Sequence, residues 1–126
     1  MTRRLPLVAA ALLVPALLGA QGGERTPEER LQGRLSDPAR RQVLALVDSA
    51  RGERLPADEL VTRALEGASK RAPDDRIVAA VRRLRAALAE ARRALGQQAS
   101  GEEVAAGASA IQARVPTGVL AALRRE

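Results

Sequence analysis

Between Pro73 and Gly96 the chain reads PDDRIVAAVRRLRAALAEARRALG, the longest stretch of helical period in the sequence. At about 100° per residue, Ile77, Val81, Leu84, Leu88, Ala91 and Leu95 share one narrow stripe. Arg76, Arg82, Arg83, Arg85, Arg92 and Arg93 lie outside it. Pro73 suits the first helical position, where its missing N–H is not needed. Asp74 and Asp75 then meet the positive end of the helix dipole, and Gly96 can supply a left-handed cap. A helix with one apolar stripe must bury it against other apolar elements.

Those elements can only be aliphatic, because the chain has no Phe, Tyr, Trp, Cys or His. A core of Leu, Val, Ile and Ala is thin for this length, which predicts modest stability or help from a partner. Without Cys there is no disulfide framework. Without Cys and His, zinc and other nitrogen–sulfur metal sites are excluded, and so are His-assisted nucleophiles. No aromatic ring is present to stack on a base or a sugar, or to anchor at a membrane interface.

Residues 1–20 read as a secretory signal peptide that is removed. Arg3 and Arg4 make a positive start, Leu5 to Leu18 is apolar, and Leu18-Gly19-Ala20 precedes Gln21. The apolar run spans only about 21 Å as a helix, against about 30 Å of hydrocarbon, and Pro6 and Pro15 interrupt it. No cysteine follows it, so a lipid-anchored lipoprotein is excluded. The expected location is exported, periplasmic or extracellular, with no transmembrane span after cleavage. Without Arg3 and Arg4 the balance of 21 basic to 15 acidic residues falls from +6 to +4. An exported protein of that charge favours anionic surroundings. Lys70 is the single lysine, and Asn is absent while Ala, Gly and Pro abound. That bias fits a GC-rich bacterial genome better than selection for arginine chemistry.

From residue 21 to 35 the chain is expected to be loosely ordered. Thr26-Pro27-Glu28-Glu29 reads as a helix start, but Leu31 and Leu35 are the only large apolar residues there. Residues 36–126 read as a single α-helical domain. Ser36-Asp37-Pro38 starts a helix carrying Val43, Leu44, Val47 and Ala50, which stops at Gly52. Leu55 to Glu59 opens the next, with Leu60, Val61, Leu65 and Ala68 on its face. Gly67 lies inside that helix and is expected to weaken it by about 1 kcal/mol relative to Ala. Beyond the long helix, Ser100-Gly101-Glu102-Glu103 starts another, with Val104, Ala108 and Ile111. The last begins at Pro116 and carries Val119, Leu120 and Leu123. No segment alternates with period two, so the expected fold is all-α, a small bundle of about five short helices.

IVAAVRR at 77–83 resembles VLAALRR at 119–125, an offset of about 42 residues. Each follows an apolar-Pro step and a small-residue helix containing Gly67 or Gly107. Two readings stand: two helical hairpins related by a degenerate repeat, or the limited vocabulary of an Ala- and Arg-biased chain.

Acid pairs occur at Glu28-Glu29, Asp58-Glu59, Asp74-Asp75 and Glu102-Glu103. All fall where a helix starts, and the free N–H groups there account for them without catalysis. Ser69-Lys70 puts a hydroxyl beside an amine, but neighbours on a helix diverge by about 100° and do not face each other. Arginine forks suit phosphate or carboxylate, so the one candidate contact set is Arg76, Arg82, Arg83, Arg85, Arg92 and Arg93. The bland reading of that set is a solvated helix face. The small residues around Gly107 fit internal packing, with a groove for a partner helix as the sharper alternative. The expectation is a non-enzymatic exported module without cofactor, binding a protein partner of unknown identity. The alternative is an anionic envelope surface met by the arginine face. Sequence-specific nucleic-acid recognition is not expected.

Overall fold

The computed structural model describes residues 23–125, and the expected leader lies outside the described residues. Among the described residues six helices follow one another: α1 Pro27–Leu31, α2 Asp37–Gly52, α3 Asp58–Ser69, α4 Asp74–Leu95, α5 Gly101–Gln112 and α6 Thr117–Arg124. Among the described residues there is no strand, and the fold is a small helical bundle.

Local chemistry sets the starts. Thr26 Oγ1 accepts the Glu29 N–H at 3.1 Å while Glu29 Oε1 accepts the Thr26 N–H at 2.9 Å. Ser100 and Glu103 repeat this reciprocal cap at the head of α5, at 3.0 and 2.7 Å. Ser36 Oγ accepts the Ala39 N–H at 3.3 Å and opens α2. Pro73 and Pro116 stand one residue earlier than expected, as extended caps before α4 and α6.

Three of the ends, those of α2, α3 and α5, share a device that involves no glycine, whereas α4 ends at Gly96 with φ 94° as a glycine stop. Arg54, Arg71 and Arg114 have φ of 60, 59 and 70°, the left-handed region. In each case the following N–H reaches back over the turn: Leu55 to Ala50, Ala72 to Gly67, and Val115 to Ala110, at 2.9, 3.0 and 2.8 Å. This is the Schellman closure of a helix C-terminus, followed by an apolar residue and a proline that bars continuation. Arginine in place of Gly here costs backbone strain of order 1 kcal/mol or more.

The hairpins α3–α4 and α5–α6 are thus joined by the same turn, and α3 and α5 both have 12 residues. Their equivalence runs Pro73 to Pro116 and Arg71 to Arg114, an offset of about 43. In that register buried Val61 matches buried Val104, and Ile77 matches Leu120, also buried. The similar heptapeptides instead align Ile77 with Val119, which is 48% exposed. The likeness between those strings is therefore one residue, about 100° of helix, out of step with the geometry. What recurs is the hairpin and its turn.

α4 is the central element, touched by α2 and α3 along its first two-thirds and by α5 and α6 along its last. Its stripe is interior as expected: Ile77, Val81, Leu84, Leu88 and Ala91 are buried, and Leu95 is half-buried. Val43, Val47, Leu60, Val61 and Val104 meet it in an all-aliphatic core. The 21–35 segment departs from expectation where it is described. Leu31 is fully buried, and Pro27 and Leu35 are buried with it. The capping box fixes α1, and one leucine seats it against α3, so this stretch is docked rather than loose.

Gly67 also reverses its expected role. A Cβ there would stand 2.7 Å from Ile77 Cγ1, and Ile77 is itself buried in the core. The missing side chain is what lets α3 lie close on α4. Gly67→Ala should therefore destabilise the protein by about 1–3 kcal/mol, against the gain of about 1 kcal/mol that helix propensity alone predicts. Urea unfolding followed by circular dichroism reads the sign directly.

Candidate anion-contact surface

The six arginines singled out on α4 belong to three environments. Arg92 is not a surface residue: it is only 9% exposed. Its Nη1 donates to the carbonyl of Ala99 at 2.7 Å and to that of Gly96 at 3.3 Å, and its Nη2 to that of Arg54 at 2.6 Å. Its Nε is buried without a partner. This guanidinium joins the α2–α3 turn to the α4–α5 loop, and it is withdrawn from the candidate contact set.

Arg82 and Arg85 face α2. Arg82 Nη2 donates to Gln42 Oε1 at 3.0 Å. Arg85 donates to Ser49 Oγ through Nε at 3.1 Å and through Nη2 at 2.6 Å, and it pairs with Glu53. Both arginines are half-committed to holding α2 along α4. Arg76, Arg83 and Arg93 remain exposed, with no ion pair or side-chain hydrogen bond among the described residues. On α4 they share the outer face with Asp75, Ala86 and the half-buried Glu90.

Sequence reasoning passed over the arginines of the turns and of α6. Arg114, Arg124 and Arg125 are exposed and also have no ion pair among the described residues. Close by, α6 exposes Val119 (48%) and Leu123 (60%), the exposed large hydrophobics among the described residues. Leu123 and Arg124 line an open groove of about 600 Å³ with Leu95, Gly96, Ala99 and Glu103. The signal available in the sequence was the pair Val119 and Leu123, four residues apart beside Leu120, which together exceed what one narrow interior stripe can take. Gly107 packs inward on Ala91, Leu95 and Leu120, so its small side serves the hairpin.

A second groove, of about 630 Å³, lies between α1 and α3 and is lined by Arg25, Arg30, Arg34, Glu24, Asp58 and Leu65. Its cations are largely engaged: Arg30 is 3.7 Å from Asp58, and Arg34 donates to Ser69 Oγ at 3.2 Å.

All four acid pairs sit in the first turn of a helix. The backbone N–H of Thr26, then its hydroxyl, holds the Glu29 carboxyl below the usual range, and Ser100 does the same for Glu103. Asp74 Oδ2 accepts the Ser36 N–H at 3.1 Å, tying the head of α2 to that of α4. Ser69 accepts from Arg34 and has no bond to Lys70. Among the described residues no cluster of three or more acids could hold a metal ion, and no helix is long and apolar enough to cross a membrane. No family model, curated protein or solved structure matches the chain.

Two outcomes follow from these contacts. Arg92→Leu strips three carbonyls of a charged donor and should cost about 2–3 kcal/mol in urea unfolding; Arg92→Lys should recover little, since one ammonium cannot span both arms of the fork. Glu103 has a lowered folded pKa, so its stabilisation is present above the ordinary glutamate value of 4.5 and is lost as pH falls through the folded value. Thermal melts should accordingly show Glu103→Gln below wild type at neutral pH, with the gap closing under acid.

Proposed function

We propose that the protein is a non-catalytic helical module that acts by binding an anionic surface. The supporting observation is the set of arginines left over once the fold has used the others. Arg76, Arg83 and Arg93 on α4, and Arg114, Arg124 and Arg125 around α6, are exposed and unpaired among the described residues. Exposed cations with no intramolecular partner are fully available to an external anion, and several together give an attraction that salt screens. The acids support a non-catalytic reading because helix starts account for each pair, and the pairs are distributed over four different helices.

This reading shifts the contact surface relative to the sequence expectation. Arg92 drops out, Arg82 and Arg85 contribute weakly, and the end of the α5–α6 hairpin joins. The exported location belongs to the same proposal and rests on residues 3–20 alone. In that compartment the anions on offer are lipid headgroups and envelope polymers.

The protein exported from a bacterial host with its own leader should sediment with vesicles containing phosphatidylglycerol and not with phosphatidylcholine alone. Binding should fall steeply toward about 1 M salt, where the screening length is about 3 Å. Arg76, Arg83 and Arg93 changed together to Gln should weaken binding by about tenfold or more, at roughly 1 kcal/mol for each charge near the surface. Binding indifferent to salt and to lipid charge refutes the reading.

A further inference from the structure

We propose that the anionic surface is a lipid bilayer, and that α6 meets it with Val119 and Leu123 inserted, adding an apolar contact to the arginines already named. This rests on the anionic-surface reading above and names its contact. Val119 and Leu123 are one turn apart on the same side of α6, at 48 and 60% exposure. Leu120 is the one buried residue of the helix, flanked by half-buried Ala121 and Ala122. Cations stand at both ends of this apolar edge: Arg114 in the turn before α6, and Arg124 and Arg125 directly after Leu123. From Ala113 to Arg125 there is no acidic residue, and Glu126 follows. Arg124 lies over Gly96, where a Cβ would stand 2.7 Å from its Nη1, at the rim of the groove beside Leu123. Glu103 is the one carboxylate lining that groove, and it is engaged by the Ser100 N–H at 2.7 Å.

An apolar pair between arginines suits an interface where hydrocarbon lies just below phosphate. Short amphipathic helices with cations at the headgroup level lie in that boundary. A soluble polyanion would satisfy the arginines and leave Val119 and Leu123 in water. A folded protein partner normally covers about 800 Å² on each side, far more than two part-exposed aliphatic side chains offer. A nucleic acid would want a stacking ring, and the chain has none.

The lack of aromatics makes the test direct, since Leu123→Trp introduces the only fluorophore at an already exposed position. With phosphatidylglycerol vesicles its emission should shift to the blue and be quenched by brominated lipid. With phosphatidylcholine vesicles, or with soluble dextran sulfate, it should stay at its aqueous wavelength. Val119→Ser with Leu123→Ser should weaken vesicle binding by about tenfold or more while leaving dextran sulfate binding and the helical spectrum unchanged. Failure to sediment with anionic vesicles overturns the anionic-surface reading itself. Sedimentation with an unshifted emission, or with the double serine variant binding like wild type, overturns only the role of α6. An equal blue shift on dextran sulfate overturns the bilayer.

Discussion

The guanidinium of Arg92 is the point on which the two halves of the bundle close. It lies in the last turn of α4, where a cation is favoured by the negative end of the helix dipole. Burying it is costly, because water is replaced by a poorer solvent for charge. Three backbone carbonyls offset that cost, and each belongs to a different stretch of chain end: Arg54 after α2, Gly96 after α4 and Ala99 before α5. Carbonyls past a helix end have no intrahelical donor, so the contacts that partner the two terminal nitrogens also supply those carbonyls with a donor, while Nε stays unpartnered. No carboxylate takes part.

Around that clamp the core is built from small increments. With no ring to fill space, α-helices must approach closely, and the residues at the crossings are the smallest available. Gly67 lies under Ile77, and Gly107 lies against Ala91 and Leu95. Close approach raises packing density, which an aliphatic core needs because each side chain buries little area. The three left-handed arginines belong to the same economy. Each spends local strain to turn the chain sharply, so that the next helix lies back on the last rather than wandering off it.

Helix starts were readable because Thr, Ser, Asp and Pro act through bonds within three or four residues, and the stripe of α4 was readable because its period is local. Arg92 was not readable for two reasons. It sits about 60° from the centre of the stripe, in a buried arc that extends further to Val78, which the stripe did not include, and its partners are carbonyls, which every residue has. Leu31 was missed because one leucine carries no period; only the position of α3 reveals what it covers. Gly67 was misread because propensity concerns a helix alone, whereas its value lies in the contact with Ile77. The free arginines were separable from the engaged ones only once Gln42, Ser49 and Glu53 were placed on the face of α2 that meets α4.

A chain of this size has too little apolar material to surround six helices evenly. The deficit falls on α6, whose single buried residue is Leu120, while α4 has eight, Arg92 included. A helix anchored chiefly by one leucine opens more readily than one held on all sides, since local stability follows buried contact. Its large aliphatic side chains Val119 and Leu123 face outward, and no other element among the described residues covers them. The shortage of core and the availability of a greasy, basic edge are therefore one fact. On the bilayer reading proposed above, an external apolar phase would supply the layer that α6 lacks among the described residues, and the arginines that flank it would favour an anionic one.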